Sequence, residues 1–271
     1  MKHTILLFVL LLLVPVLAFA DGIRVSARDT EINRDRDRNV TNILVLLQEE
    51  DRTQMMTVAS LNTKTGKAVM VQLDPELMVD IPEVGEVALS QVYALGDKKS
   101  KGFLAMRTVN RLLKLNLTNY VVVSMDAIPS LVDAVDGVWI TPTEEEDLAL
   151  GLDLDTWALD GQDTLAYIRL KLPGDAERNR AYEVMMQILR QVAEQDIMGM
   201  MGAGGKLLEV MDTNISISNA ISLGRSLQGK SNKDEHHIDL FLPQAEAIIE
   251  TSPLRADADK MEQKLTEVIY E

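Results

Sequence analysis

The chain has no cysteine, so thiolate nucleophiles, disulfides and cysteine-ligated metals are excluded from its chemistry. Histidine is nearly absent: His3, His236 and His237 are the three among 271 residues. The adjacent pair His236 and His237 follows Lys233-Asp234-Glu235 in a polar stretch and reads as a surface pair rather than a metal site. Aromatic residues make up 4% of the sequence, against 46% hydrophobic overall, so a core has to be built from Leu, Val, Ile and Met. Positive charge is scarce, with 27 Lys and Arg against 42 Asp and Glu and a formal net charge of -15. Affinity for DNA or RNA rests on Lys and Arg neutralising phosphates, so this balance argues against a nucleic-acid partner. There is no Gly-rich phosphate loop of the P-loop or dinucleotide kind, no His-Glu-x-x-His and no Gly-x-Ser-x-Gly.

What remains is a globular composition, long enough for one large domain or two small ones. Lys2 and His3 precede an apolar run over residues 5–17, followed by Ala18-Phe19-Ala20. That layout predicts a signal peptide or signal anchor over 1–20, with a cleavage site before Asp21. On either reading the rest of the chain is extracytoplasmic, secreted or held at the membrane by this segment. Residues 21–40, with the run Arg34-Asp35-Arg36-Asp37-Arg38, read as a polar linker.

Residues 42–47 (Asn-Ile-Leu-Val-Leu-Leu) form a continuous aliphatic run, the pattern of a strand buried on both faces. Further strands are predicted over 55–61 and 68–73, joined by a polar, Gly-containing link that suggests a hairpin. Helical spacing over 102–113 leads into a strand over 120–123, and a second helical stretch over 127–135 stops at Asp136-Gly137 before a strand over 138–140. This alternation indicates an α/β chain. Residues 143–163 read as an acidic, solvated insertion or helix start, 163–167 and 179–195 as helices, and the C-terminal tail as ending in an amphipathic helix.

Arg169, Lys171, Arg178 and Arg180, with Asp175 among them, fall within a dozen residues of an otherwise acidic chain. Arginine presents a planar fork that matches phosphate oxygens. By composition alone the cluster is equally a phosphate site or a salt-bridged helix surface.

The order of segments resembles the LytR-CpsA-Psr (LCP) family. The resemblance rests on 42–47 and on Met-Met-Thr-Val-Ala-Ser-Leu-Asn-Thr-Lys-Thr-Gly-Lys at 55–67. It continues through Tyr-Val-Val-Val-Ser-Met-Asp at 120–126, Leu-Val-Asp-Ala-Val-Asp-Gly-Val at 131–138, Leu-Asp-Gly-Gln-Asp-Thr-Leu-Ala-Tyr-Ile-Arg at 159–169 and Gly-Asp-Ala-Glu-Arg at 174–178. The resemblance implies a three-layer α/β/α sandwich with a central mixed sheet. It would be a single domain over 41–271, with a motif core over 42–192 and a helical C-terminal part over 193–271. It further implies a hydrophobic groove for a polyprenyl chain, with polyprenyl (pyro)phosphate lipid and cell-wall glycopolymer as partners. The implied activity moves a phosphoglycosyl unit from the pyrophosphate carrier to a sugar hydroxyl, with Mg2+ assistance. Carried over residue by residue, Arg169, Lys171 and Arg178 contact the pyrophosphate, joined by Arg180. Asp175 orients an arginine, and Glu49 and Glu76 are the remaining metal candidates.

Several motifs depart from the family. Its Gly-x-Asp falls on Leu47-Gln48-Glu49, its Arg-Ser-Asp-Thr on Asp51-Arg52-Thr53-Gln54, and its Ser-Ile-Pro-Arg-Asp on Gln72-Leu73-Asp74-Pro75-Glu76. Lys171 replaces an arginine, and Arg180 stands one residue early, a rotation of about 100 degrees on a helix. Losing one phosphate-binding donor typically costs about 3 to 4 kcal/mol of transition-state stabilisation. The expectation is therefore reduced or altered catalysis. The alternative is a non-catalytic module that binds a lipid carrier, a glycopolymer or an envelope protein.

Overall fold

A computed structural model describes residues 39–64, 68–97, 100–151, 158–172, 179–194, 211–216, 218–219, 238–241, 248–249 and 255–270. The predicted leader, nearly all of the linker, Asp175, Arg178, His236 and His237 lie outside the described residues.

Six strands form the central sheet: β1 (Val40–Glu49), β2 (Arg52–Asn62), β3 (Ala68–Leu73), β6 (Leu117–Ser124), β9 (Met211–Thr213) and β10 (Ile238–Phe241), in the order β10-β3-β2-β1-β6-β9. β1 and β2 are antiparallel, as are β2 and β3, which bears out the expected hairpin. β1 pairs parallel with β6, and β3 with β10, while β9 closes the other edge antiparallel. The sheet is thus mixed.

Its two faces explain the unbroken aliphatic run in β1. Leu44 and Leu46 join one core with Met56 and Val58, under helices α1 (Leu89–Leu95), α2 (Lys101–Leu113) and α7 (Ala258–Tyr270). Val45 and Leu47 join the other with Met55 and Val123, under α3 (Ile128–Asp133), α5 (Gly161–Arg169) and α6 (Arg180–Glu194). Successive strand side chains point to opposite faces, so a strand covered on both sides must be apolar at every position. Burying each such side chain is worth about 1.5–3 kcal/mol. The result is the expected α/β/α sandwich.

Two features differ from the sequence expectations, and a third decides between the alternatives of insertion and helix start. The part after residue 193 is not simply helical, since it supplies both edge strands, β9 and β10, as well as α7. A hairpin of β4 (Met78–Ile81) and β5 (Gly85–Ala88) followed by α1 escapes prediction, because four-residue strands are too short to display a period. The acidic stretch forms helix α4 (Glu144–Leu150), whose Thr143 and Glu146 make a reciprocal capping box: the Glu146 N–H donates to Thr143 Oγ1 at 3.3 Å and the Thr143 N–H to Glu146 Oε2 at 2.8 Å. Glu146 is 1% exposed, so this acid is not part of a solvated face. A small hairpin of β7 (Val138–Trp139) and β8 (Ala158–Leu159) leads into α5.

Candidate functional site

β1 and β6 end side by side, with Gln48 paired to Ser124. Open α/β sheets bind their ligands outside the carboxyl ends of such strands. Here β1 turns back into β2 through Glu50 and Asp51, with Glu50 in the left-handed region at φ 51°. The register shifts after Leu47, so Gln48 opposes Thr53 and Glu49 opposes Arg52. Such a bulge re-aims the side chains that follow it. Thr53 Oγ1 donates to Gln48 Oε1 at 2.8 Å, both groups buried. The threonine that replaces a family carboxylate is thereby paired within the hairpin.

Arg52 leaves the hairpin toward α1. Its Nη2 donates to Glu76 Oε1 at 2.7 Å and to Ser90 Oγ at 3.0 Å, and Ser90 Oγ donates to the same Glu76 oxygen at 3.3 Å. Glu76 is held in turn because its N–H donates to Asp74 Oδ1 at 2.8 Å.

Arg169, the last residue of α5, reaches the same hairpin from the opposite layer. Its Nε donates to Glu49 Oε1 at 3.0 Å and its Nη2 to Asp126 Oδ1 at 3.3 Å. Helix α5 is fixed at its start by Asp160, which accepts from the N–H groups of Gln162 and Asp163 at 2.8 and 2.9 Å. Burial, and then the charge of Asp160, raise the pKa of the Asp163 carboxyl. Gly161 lets α5 lie directly against α3, since a Cβ there would fall 2.4 Å from the Pro129 carbonyl oxygen.

Lys171 is exposed two residues beyond α5 and meets no acceptor among the described residues. Arg180 is placed differently from the phosphate-contacting position that the resemblance implies. It is 5% exposed, with Nε on Glu146 Oε1 at 2.7 Å and Nη1 on the Leu170 carbonyl at 2.8 Å. Its guanidinium lies 5.7 Å from the centre of the Tyr167 ring, whose hydroxyl donates to Glu183 at 2.7 Å. The rotation produced by its early position turns it into the protein. Sequence reasoning notes Arg52 as the shifted arginine of a family motif, without a site role, and assigns no part to Ser90 or Asp126. Asp126 ends a quoted motif, whereas nothing in the sequence marks Ser90.

The two candidate metal ligands do not fit a magnesium ion in this arrangement. Mg2+ demands near-ideal octahedral oxygen coordination, usually from one or two carboxylates together with phosphate and water. Glu49 and Glu76 each already bind a different arginine, whose charge opposes a cation on the same carboxylate, and among the described residues no group of three acidic or histidine side chains gathers beside them.

The ion pairs at the strand ends are exposed: Arg52 by 53%, Arg169 by 45% and Asp126 by 86%. Pairs of this kind add about 0–1 kcal/mol to stability, so they contribute little to holding the fold. What they do is hold two guanidiniums at one end of the sheet, with donors that meet no acceptor among the described residues.

The model of the LytR_cpsA_psr family matches residues 24–267. Among curated proteins, the chain is 26% identical over 201 residues to "Polyisoprenyl-teichoic acid--peptidoglycan teichoic acid transferase TagU" of Oceanobacillus iheyensis, covering 69% of this chain and 62% of that protein. It is 26% identical over 195 residues to "Biofilm regulatory protein A" of Streptococcus mutans, covering 63% of this chain and 46% of that protein. The chain therefore spans less than two thirds of the length of these relatives. Its fold matches the crystal structure of TagV from B. subtilis with a TM-score of 0.67 at 20% identity, over 85% of this chain and 97% of that one. It also matches the LytR-CPS2A-psr family protein YwtF (TagT) with bound octaprenyl pyrophosphate lipid, with a TM-score of 0.63 at 18% identity, over 89% of this chain and 95% of that one. A family match that runs through nearly the whole chain, on the expected three-layer fold, means that this protein belongs to the LytR-CpsA-Psr family.

Proposed function

We propose that this chain acts outside the cytoplasmic membrane, secreted or tethered by its N-terminal segment, and binds a polyprenyl (pyro)phosphate carrier of a cell-wall glycopolymer. The pyrophosphate lies at the carboxyl ends of β1 and β6. Arg169, Lys171 and Arg178 contact it, and Asp175 orients an arginine. The observation that carries this reading is Arg169 itself, brought to the strand ends by α5, half exposed, and bonded through Nε and Nη2 to Glu49 and Asp126. Nη1 meets no acceptor among the described residues, which leaves its hydrogens for a phosphate. Support also comes from the family, from a relative named as a teichoic acid transferase and from a fold neighbour bound to octaprenyl pyrophosphate.

In the reaction this site would serve, an acceptor sugar hydroxyl attacks the glycopolymer-side phosphorus. The bond to the bridging oxygen breaks, polyprenyl phosphate leaves and the hydroxyl proton passes to solvent. The cationic donors would stabilise charge on the leaving phosphate, a contribution of about 10²–10³ in rate for one well-placed donor. With Thr53 and Pro75 where the family carries functional side chains, turnover is reduced or altered.

A second reading is a module that binds the carrier or its polymer without turning it over. The engagement of Glu49 and Glu76 by arginines favours it. A glycopolymer-transfer assay separates the two. Turnover that disappears in Arg178→Ala supports the enzyme, whereas carrier binding that disappears in Arg169→Ala without turnover in the parent supports the module. Purified protein that fails to bind polyprenyl phosphates in any form would overturn both.

A further inference from the structure

The arrangement of Arg52 suggests how the site meets a doubly charged ligand. Glu49 and Arg52 are directly opposed residues at the last register position of the β1–β2 hairpin. Glu49 anchors the guanidinium of Arg169. Arg52 places its own guanidinium on Glu76 and Ser90. Two cations are thus fixed to opposed positions of one short hairpin, Arg169 drawn toward Asp126 after β6 and Arg52 drawn toward α1. Each carboxylate that could have ligated a metal serves instead to aim an arginine. Each glutamate gives one oxygen, Oε1, to its guanidinium at 2.7 or 3.0 Å, so a metal on the same carboxylate would sit against a fixed positive charge.

The donors left over suit an anion. On Arg52 both bonds use Nη2, so Nε–H and the Nη1 hydrogens meet no acceptor among the described residues. On Arg169 the Nη1 hydrogens are likewise unmatched. Asp126 is 86% exposed and holds Arg169 at 3.3 Å, which makes it the partner a phosphate oxygen would most readily displace. Guanidinium keeps its charge at all physiological pH values and cannot dissociate as a metal can.

We infer that this chain binds the pyrophosphate group without a divalent cation, Arg52 supplying, from the hairpin position opposed to the one that anchors Arg169, the positive charge that a metal would otherwise bring. The inference rests on the proposed function and deepens it. The magnesium implied by the family resemblance is then dispensable for ligand binding in this member.

The test is calorimetric titration of the purified chain with a short-chain polyprenyl pyrophosphate, in EDTA and again with magnesium, using the parent, Arg52→Gln and Arg52→Lys. The expected result is equal affinity within about twofold in the two buffers, and a loss of about tenfold or more in Arg52→Gln, the equivalent of one hydrogen bond to a charged group. Arg52→Lys keeps the charge but not the double donation to Glu76 and Ser90, and should fall between them. Titration with Mn2+ alone, read by paramagnetic broadening, should show no saturable site near Glu49 and Glu76, and this readout needs no variant. Magnesium tightening the parent about tenfold, or a saturable Mn2+ site there, overturns the inference while leaving the proposed function standing. Metal-free binding that Arg52→Gln leaves unchanged overturns the part given to Arg52. Absence of binding in both buffers overturns the proposed function and the inference together.

Discussion

Replacing Arg180 by methionine tests whether this residue belongs to the fold or to the ligand site. Arg180 is 5% exposed and Glu146 1% exposed, and they meet at 2.7 Å beneath helix α4. Methionine keeps most of the aliphatic volume but removes the cation. Glu146 would retain the Thr143 N–H at 2.8 Å but lose the charge that balances its own, and the Leu170 carbonyl would lose its 2.8 Å donor. Breaking a buried ion pair by removing one partner costs about 3–5 kcal/mol, because a desolvated charge is left behind. Set against a typical total stability of about 5–15 kcal/mol, this is a large fraction. At about 2–4 °C per kcal/mol for a chain of this size, the melting temperature should drop by roughly 10 °C. Urea unfolding and calorimetry of Arg180→Met, Glu146→Gln and the double variant measure it. The double variant should recover most of the loss, since it buries no unpaired charge, and the coupling between the two sites should exceed about 1 kcal/mol. Binding of a short-chain polyprenyl pyrophosphate, measured below the transition, should stay within about twofold of the parent. An Arg180→Met protein that unfolds within about 0.5 kcal/mol of the parent yet no longer binds the ligand would refute the reasoning and return Arg180 to the phosphate contacts.

Other substitutions probe the frame around the site. Thr57 is fully buried and its Oγ1 has no hydrogen-bond partner among the described residues; the near-isosteric Thr57→Val should raise stability by about 1 kcal/mol in urea unfolding, by removing a desolvated hydroxyl. Gly161→Ala should destabilise by about 1–3 kcal/mol, because the new Cβ would meet the Pro129 backbone at 2.4 Å, and by shifting α5 it should also weaken ligand binding at Arg169. Burial, followed by the charge of Asp212, pushes the Tyr93 hydroxyl up to about 12, and it donates to Asp212 at 3.1 Å. Because the folded value lies above the unfolded one, the stability this phenol contributes is intact below pH 10 and is lost as pH rises toward 12; Tyr93→Phe should flatten that part of the stability curve and remove one late-ionising phenol from an absorbance titration.

The central sheet was legible because β1, β2 and β3 carry local signals: an aliphatic run, a polar link with glycine and a second apolar run. The resemblance added order to these pieces and pointed to Arg169. Less local features stayed hidden. Arg180 looks like any basic residue of a phosphate cluster until Glu146, 34 positions earlier, is folded against it. The Thr143-to-Glu146 spacing of a capping box is present in the sequence and was the one available sign that an acid of this run is engaged rather than solvated. Ser90 and Glu76 meet Arg52 only because the β4–β5 hairpin and α1 fold back toward the hairpin tip, and those short elements give no periodic signal. The register shift after Leu47 is likewise set by pairing between strands. It decides that Arg52, rather than Thr53, stands opposite Glu49.

The arginine–carboxylate pairs of this protein divide by their surroundings rather than by their geometry. Arg180–Glu146 and Arg52–Glu76 share the same 2.7 Å separation, yet one is nearly dry and the other has both side chains more than half exposed. For the dry pair the solvation already lost makes each partner necessary to the other, which gives it a structural part and no capacity to exchange partners. In the exposed pairs, water screens the attraction to about 0–1 kcal/mol, so a phosphate with more charge and more acceptor oxygens can replace a carboxylate at little cost. A basic cluster in an acidic chain can therefore mix both kinds within a dozen residues. Exposure, more than position in a motif, separates the cation that braces α4 from the cations free to meet a ligand.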